Sequence, residues 1–379
     1  PSIISNLNNS YIYIQGPPGT GKTFQASNAI IELLKQNKKI AITGLSHKVI
    51  HNLLQRVEDM AAEKQFKFNG FKKGNLEDDD TIFNGENIKT YEKDPPFMDA
   101  LKEKNVGNIF AGTKYHLANS YYDEKIDYLF IDEAGQLSLA DLISIGNIAK
   151  NIVLIGDQNQ LGQPIRGTHP NNSGQSILEY LLEGKDTIPE DKGIFLNKTY
   201  RLNSKINNFI SSNFYEERLI CDDRTDKRII KFNNKSIIKK DGIHYIEMKH
   251  KNNVQTSIEE FEVVKSLMKQ LIGVEFDDNG KKRKLTANDF LIISPYNTQV
   301  NLLISKLEEE KIKNPRVGTI DKFQGQEAPI AIISMTSSDS DSLPRNKEFF
   351  FNRNRLNVAI SRAQVVSIIL FNPNLLDSS

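Results

Sequence analysis

Gly16-Pro17-Pro18-Gly19-Thr20-Gly21-Lys22-Thr23, set directly after the apolar run Tyr11-Ile12-Tyr13-Ile14, is the stretch on which the fold turns. It fits G-x-x-x-x-G-K-[ST], and Phe24, Ala26, Ala29, Ile30, Leu33 and Leu34 then recur near helical period. Strand, loop and helix thus follow in the order a phosphate cradle needs. An anionic triphosphate is held best by converging backbone N–H groups at a helix N-terminus, and glycines let that backbone come close. Gly19, Thr20 and Gly21 are the candidate cradle, Lys22 the mobile cation for the β- and γ-phosphates, and the Thr23 hydroxyl a ligand for Mg²⁺.

The 379 residues, 38% of them hydrophobic, suggest two or three globular units with ample core. A single cysteine, Cys221, excludes an internal disulfide framework. It fits a reducing compartment, the bacterial cytoplasm or another intracellular one. His47 and His51 stand one helical turn apart with no third ligand nearby, which favours a solvent-facing or nucleic-acid-facing pair over a metal site. No apolar run approaches membrane-spanning length, so no membrane partner is expected. The chain starts at Pro1, close to the first strand, and reads as a piece of a longer polypeptide. A net charge of +1 leaves nucleic-acid binding undecided, because a groove can be basic while the remaining surface compensates. Lys281-Lys282-Arg283-Lys284 follows Asp277-Asp278-Asn279-Gly280 and reads as a solvated hairpin tip.

Short β-branched runs at 39–43, 108–111, 128–131 and 152–155 alternate with helical stretches, the pattern of a parallel sheet covered by helices. Residues 61–105 break the rhythm with Gly70, Gly74, Asp78-Asp79-Asp80 and Asp94-Pro95-Pro96, as an insertion or subdomain would. A second series follows, with strands expected near 243–246, 290–293, 317–320, 330–334 and 365–371. The α/β class is therefore expected twice over, with a boundary near residue 195.

Tyr128-Leu129-Phe130-Ile131-Asp132-Glu133 is a buried-type strand ending in two carboxylates. Asp132 is the candidate Mg²⁺ holder and Glu133 the candidate polariser of an attacking water. The next strand runs into Gly156-Asp157-Gln158-Asn159-Gln160-Leu161, where Gln160 could sense the γ-phosphate. The Asn-Lys-x-Asp signature of a GTPase does not occur at a strand end.

With further motifs in order, the chain resembles superfamily 1 helicases, in the branch that holds the nonsense-mediated-decay RNA helicase and the replication nuclease-helicase. The motifs are Gly16 to Thr23, Thr43 to His47, Ala111-Gly112-Thr113, Asp132 to Gln136, Gly156 to Leu161, Thr199-Tyr200-Arg201, Ser294 to Gln299, Gly318 to Glu327, and Arg355 to Ala363. The resemblance implies two tandem RecA-like P-loop domains, each a mainly parallel sheet flanked by helices. The first, 1–194, would bind ATP and carry the insertion at about 61–105; the second, 195–379, would carry the arginine finger and nucleic-acid contacts. It implies that Tyr200 stacks on adenine, Arg201 contacts the γ-phosphate, Glu327 holds the ribose and Arg362 is the arginine finger. It implies single-strand contacts from Ser46, His47, Thr113, Pro295, Tyr296, Gln299, Thr319 and Gln324.

The activity so implied is ATP-driven 5′-to-3′ movement on single-stranded nucleic acid, with ATP and Mg²⁺ as cofactors. Gln163-Pro164-Ile165-Arg166-Gly167-Thr168-His169-Pro170 and Tyr215 to Leu219 resemble the nuclease-helicase side, including bacterial fusions to a RecB-type nuclease. DNA is thus favoured over RNA as the track, with a nuclease domain expected in the same full-length chain. An RNA helicase and a non-unwinding ATP-switched binding module are the alternatives. The chain departs from the family in beginning after the upstream glutamine segment that reads adenine, and in Gly135, where many relatives have Ser.

Overall fold

The computed structural model describes residues 2–162, 173–233, 236–340, 343 and 351–376; the segment Gln163 to Pro170 lies outside them. The chain folds as two compact units, unit one from Pro1–Pro17, Gly21–Gln158 and Gly162–Leu196, and unit two from Pro18–Thr20, Asn159–Leu161 and Asn197–Ser379.

Unit one is built on eight parallel strands: β1 (Tyr11–Gln15), β2 (Ile40–Thr43), β3 (Asn69–Lys73), β4 (Ile88–Tyr91), β5 (Asn108–Ala111), β6 (Ile126–Ile131), β7 (Ala149–Gly156) and β8 (Gly193–Phe195). Their order in the sheet is β4-β3-β5-β2-β6-β7-β1-β8. The central strands are apolar on both faces because both are covered. Ile12, Ile14, Ile40, Ile42, Tyr128 and Phe130 pack into one core with the helices Lys22–Lys35 and His47–Glu63. Tyr13, Ala41, Leu129, Ile131 and Leu154 pack into the other. Within 61–105, strands β3 and β4 pair as the outer edge of this same sheet, with Gly70 opposite Ile88 on one side and Ile109 on the other. Asn69-Gly70-Phe71-Lys72-Lys73 has no apolar run to announce a strand.

Unit two holds a short parallel pair, β9 (Lys198–Thr199) with β10 (Ile220–Cys221), and a small antiparallel sheet of β11 (Arg228–Ile230), β13 (Glu275–Asp278) and β14 (Lys281–Lys284). Its main sheet is parallel, in the order β12-β18-β17-β15-β16, from β12 (Gly242–Glu247), β15 (Phe290–Ile293), β16 (Val317–Gly318), β17 (Ala328–Ser334) and β18 (Ala363–Phe371). Helices Ile258–Leu271 and Asn297–Glu309 cover a core that includes Phe290, Ile292, Ile330, Ile332, Val366 and Ile368. The basic run 281–284 is the second strand of the expected hairpin and not its tip. The tip is Asn279-Gly280, both at positive φ (54° and 88°), as a two-residue turn between right-twisted strands requires.

Candidate functional site

The phosphate loop joins β1 to the helix Lys22–Lys35, and its chemistry depends on a backbone that only glycine takes without strain. Gly21 sits at φ 77°, in the left-handed region, immediately before the helix. The Lys22 ammonium folds back and donates to the Gly16 carbonyl at 2.6 Å. At the end of β7, Gly156 lets two motifs meet, since a Cβ there would lie 3.0 Å from the backbone nitrogens of both Ala134 and Gly135. Gly135 is close-packed too; its Cβ would stand 3.1 Å from the Asp157 carbonyl oxygen, which leaves little room for a side chain there.

Strand β6 delivers Asp132 and Glu133 to the same C-terminal edge of the sheet. Asp132 is buried, and its carboxylate accepts from the Glu133 N–H at 3.0 Å. Glu133 takes φ 53°, a conformation disfavoured for a side chain of its size and found where strain is held at working sites. Burial, then the neighbouring Glu133 charge, push the Asp132 carboxyl up to about 7 against the pull of Lys22. A buried carboxylate short of positive charge is the donor a divalent cation would complete. Among the described residues no group of three or more His, Cys, Asp or Glu could hold a metal. Thr23, in the first turn of the helix Lys22–Lys35, and the buried Asp132 are the residues that would hold Mg²⁺ together with phosphate oxygens, its usual habit.

The strand-contact candidates of unit one lie where β2 and its neighbour β5 end. Ser46 caps the helix His47–Glu63, its hydroxyl accepting from the Val49 N–H at 3.3 Å. His47 is the first residue of that helix and half-buried; Thr113 precedes the short helix Lys114–Leu117.

In unit two, Arg201 Nε donates to the Glu327 carboxylate, whose other oxygen accepts from Gln364 Nε2 at 2.8 Å. Burial would raise the Glu327 carboxyl, but Arg201 and the Gln364 hydrogen bond outweigh it and hold it below its ordinary value. Arg201 also reaches the Ser361 carbonyl at 3.3 Å, and Arg362, buried, donates to the Gln326 carbonyl at 3.2 Å. Tyr200 is half-exposed beside a cavity of about 360 Å³, with the Arg224 guanidinium 5.4 Å from its ring centre. Gly19, Thr20 and Gln160 belong to this unit, and the Tyr200 N–H donates to the Gly19 carbonyl at 2.9 Å.

Pro295 and Thr319 are partly exposed at the ends of β15 and β16, and Gln324 is partly exposed after the turn Asp321–Phe323. Tyr296 is mostly buried, its hydroxyl accepting from Ser337 Oγ at 3.4 Å. Gln299 departs from expectation. It is fully buried, and its amide is spent on the Ser257 N–H (2.8 Å), the Ser257 carbonyl (3.2 Å) and Ser334 Oγ (3.1 Å), so it holds the chain before helix Ile258–Leu271 instead of meeting a strand. Sequence reasoning missed the group behind it: Glu260 accepts from Ser334 Oγ at 2.5 Å and from the Thr336 N–H at 2.9 Å, and His250 lies 3.2 Å away. It missed Gln364 as well, although that residue directly follows the last motif.

Two family models, each described as an AAA domain, match residues 173–374 and 2–165. The chain is 29% identical to the DNA replication ATP-dependent helicase/nuclease dna2 of Schizosaccharomyces pombe, over 97% of its own length and 27% of that protein's. It is 27% identical to the DNA polymerase alpha-associated DNA helicase A of the same organism, over 92% of its own length and 59% of that protein's. The chain thus spans about a quarter to three fifths of these curated relatives. Among solved structures, an arterivirus nonstructural protein 10 (helicase) in complex with DNA aligns with 98% of this chain and 62% of its own at a TM-score of 0.49 and 14% identity.

Proposed function

The chain belongs to the AAA domain family as a superfamily 1 helicase, and from that premise we propose that it is the motor portion of an ATP-driven DNA helicase moving 5′ to 3′ on a single strand. The observation that carries the reading is that the parallel sheet of unit one ends β1, before the phosphate loop, and β6, before the buried Asp132, on the same C-terminal edge. Lys22 would leave the Gly16 carbonyl for the β- and γ-phosphates, exchanging one acceptor for a charged one. Thr23 and Asp132 would hold Mg²⁺, which supplies charge neutralisation at the phosphates when bound. Glu133 would orient and polarise the attacking water. Arg201 and Arg362 would contribute positive charge where it develops in the transition state, Tyr200 would stack on the adenine and Glu327 would hold the ribose.

Relatives named as DNA helicases, one of them a helicase/nuclease, support DNA as the track and a nuclease elsewhere in the full-length protein. Ser46, His47, Thr113, Pro295, Thr319 and Gln324 are polar or small groups suited to phosphate and sugar, without reading base edges. ATP hydrolysis should be stimulated by single-stranded DNA and vanish in Lys22→Ala. An ATPase indifferent to single strands sinks the proposal, and a partial duplex opened only from a 3′ overhang sinks the polarity.

A further inference from the structure

The fully buried side chains of unit one include an amine. Lys72, on β3 opposite Ala111 of β5, has 0% of its surface exposed. Its ammonium has three donors and spends them on three neutral acceptors: His47 Nδ1 at 2.9 Å, the Thr81 carbonyl at 3.3 Å and the Lys73 carbonyl. Among the described residues no carboxylate pairs with it. Burying an isolated cation is costly, and a methionine would fill the same space without that cost.

The surrounding charges do not neutralise it. His51 and His116 are each pushed down to about 4, by burial first and nearby lysine charge second, and stay neutral near pH 7. His47 is held below its ordinary value by burial and by Lys72, with Asp78 opposing. Lys73 is matched with Asp94 at 2.5 Å. An ammonium that donates to Nδ1 leaves the His47 proton on Nε2. Among the described residues no partner takes that Nε2–H.

We propose that Lys72 is a positioning residue for the polynucleotide track: it fixes His47 as an Nε2–H donor and lends its unneutralised charge, through that ring, to one backbone phosphate of the bound strand. The inference rests on the reading of His47 as a strand contact and adds the group that acts behind it. A phosphate at Nε2 supplies the counter-charge the site lacks. Burial alone pushes Lys72 down to about 8, so the free protein holds this amine partly neutral just above neutrality. Strand binding then draws a proton onto Lys72, and affinity falls as pH rises through that range.

The test is the anisotropy of a fluorescein-labelled oligothymidylate, titrated across salt concentrations from about pH 7 to about pH 9, with folding checked by circular dichroism. Wild-type protein should bind progressively more weakly as pH rises. Lys72→Met should bind more weakly at neutral pH, lose most of that pH dependence, and show a salt slope shallower by about 0.7, the share of one phosphate on a single strand. A folded Lys72→Met with the wild-type slope and pH profile overturns the proposal. Should Lys72→Met not fold, His47→Ala is read in its place, with the same losses expected and an unchanged slope again overturning it. Wild-type protein that binds no single strand refutes the helicase reading; binding with unaltered variants refutes only the role of Lys72.

Discussion

Replacing Gln299 by Leu would separate a strand contact from a clamp. The change keeps roughly the side-chain volume and removes the amide, so it leaves the Ser257 N–H without its 2.8 Å acceptor and deletes donors to the Ser257 carbonyl and to Ser334 Oγ. An orphaned buried donor costs about 1–3 kcal/mol, and each further lost hydrogen bond about 0.5–1.5 kcal/mol. The total, about 2–6 kcal/mol, is a large part of a domain's usual margin of about 5–15 kcal/mol. For a domain of this size it corresponds to a melting shift of roughly 4–24 °C. Thermal melts followed by circular dichroism, beside single-strand anisotropy at a temperature where the variant is folded, measure both quantities. Lower stability with affinity changed little is expected. Unchanged melting with a clear loss of affinity would refute the clamp and return Gln299 to the strand.

Lys22→Ala should abolish ATP hydrolysis while leaving the melting profile within about 1 °C of wild type, because its contact to the Gly16 carbonyl is a partly exposed one; a large drop in melting would contradict this. Arg362→Ala should lower kcat by a factor of about 10³–10⁵ if it acts as a finger, measured by phosphate release at saturating single strand; a loss below about tenfold would make it structural. His116 supplies an acid-side prediction. Its imidazole is neutral and held near 4 in the folded protein against about 6.5 unfolded. Stability is therefore full above the unfolded value and is lost as pH falls below it, by about 3 kcal/mol at pH 4. Urea titrations of wild type and His116→Phe at neutral and acid pH should show a smaller acid loss in the variant, and equal losses would count against it.

Most of the strands that proved legible were buried on both faces; β12, expected at 243–246, is the half-exposed exception. Runs such as Ile40–Thr43 and Phe290–Ile293 carry their burial in composition, since a parallel strand covered on both sides has no polar face to dilute the signal. Strand β3 was not legible, because Asn69-Gly70-Phe71-Lys72-Lys73 acquires its pairing from β4 and β5 and not from its own residues. The hairpin was placed by Asn279-Gly280, but only pairing assigned Lys281–Lys284 to a strand, opposite the acidic β13.

The sequence by itself determined the phosphate loop, the carboxylates that follow β6 and the order of motifs, because a backbone cradle, a strand-end acid and a conformationally free glycine are each encoded within a few neighbouring residues. Tertiary structure alone decided what those residues touch. Gln299 lies within a motif yet turns inward to Ser257, while Lys72, in no motif, stands behind His47. Burial and hydrogen-bond partners come from segments far apart in the chain, and a motif of ten residues carries no record of which neighbour the fold will bring to it.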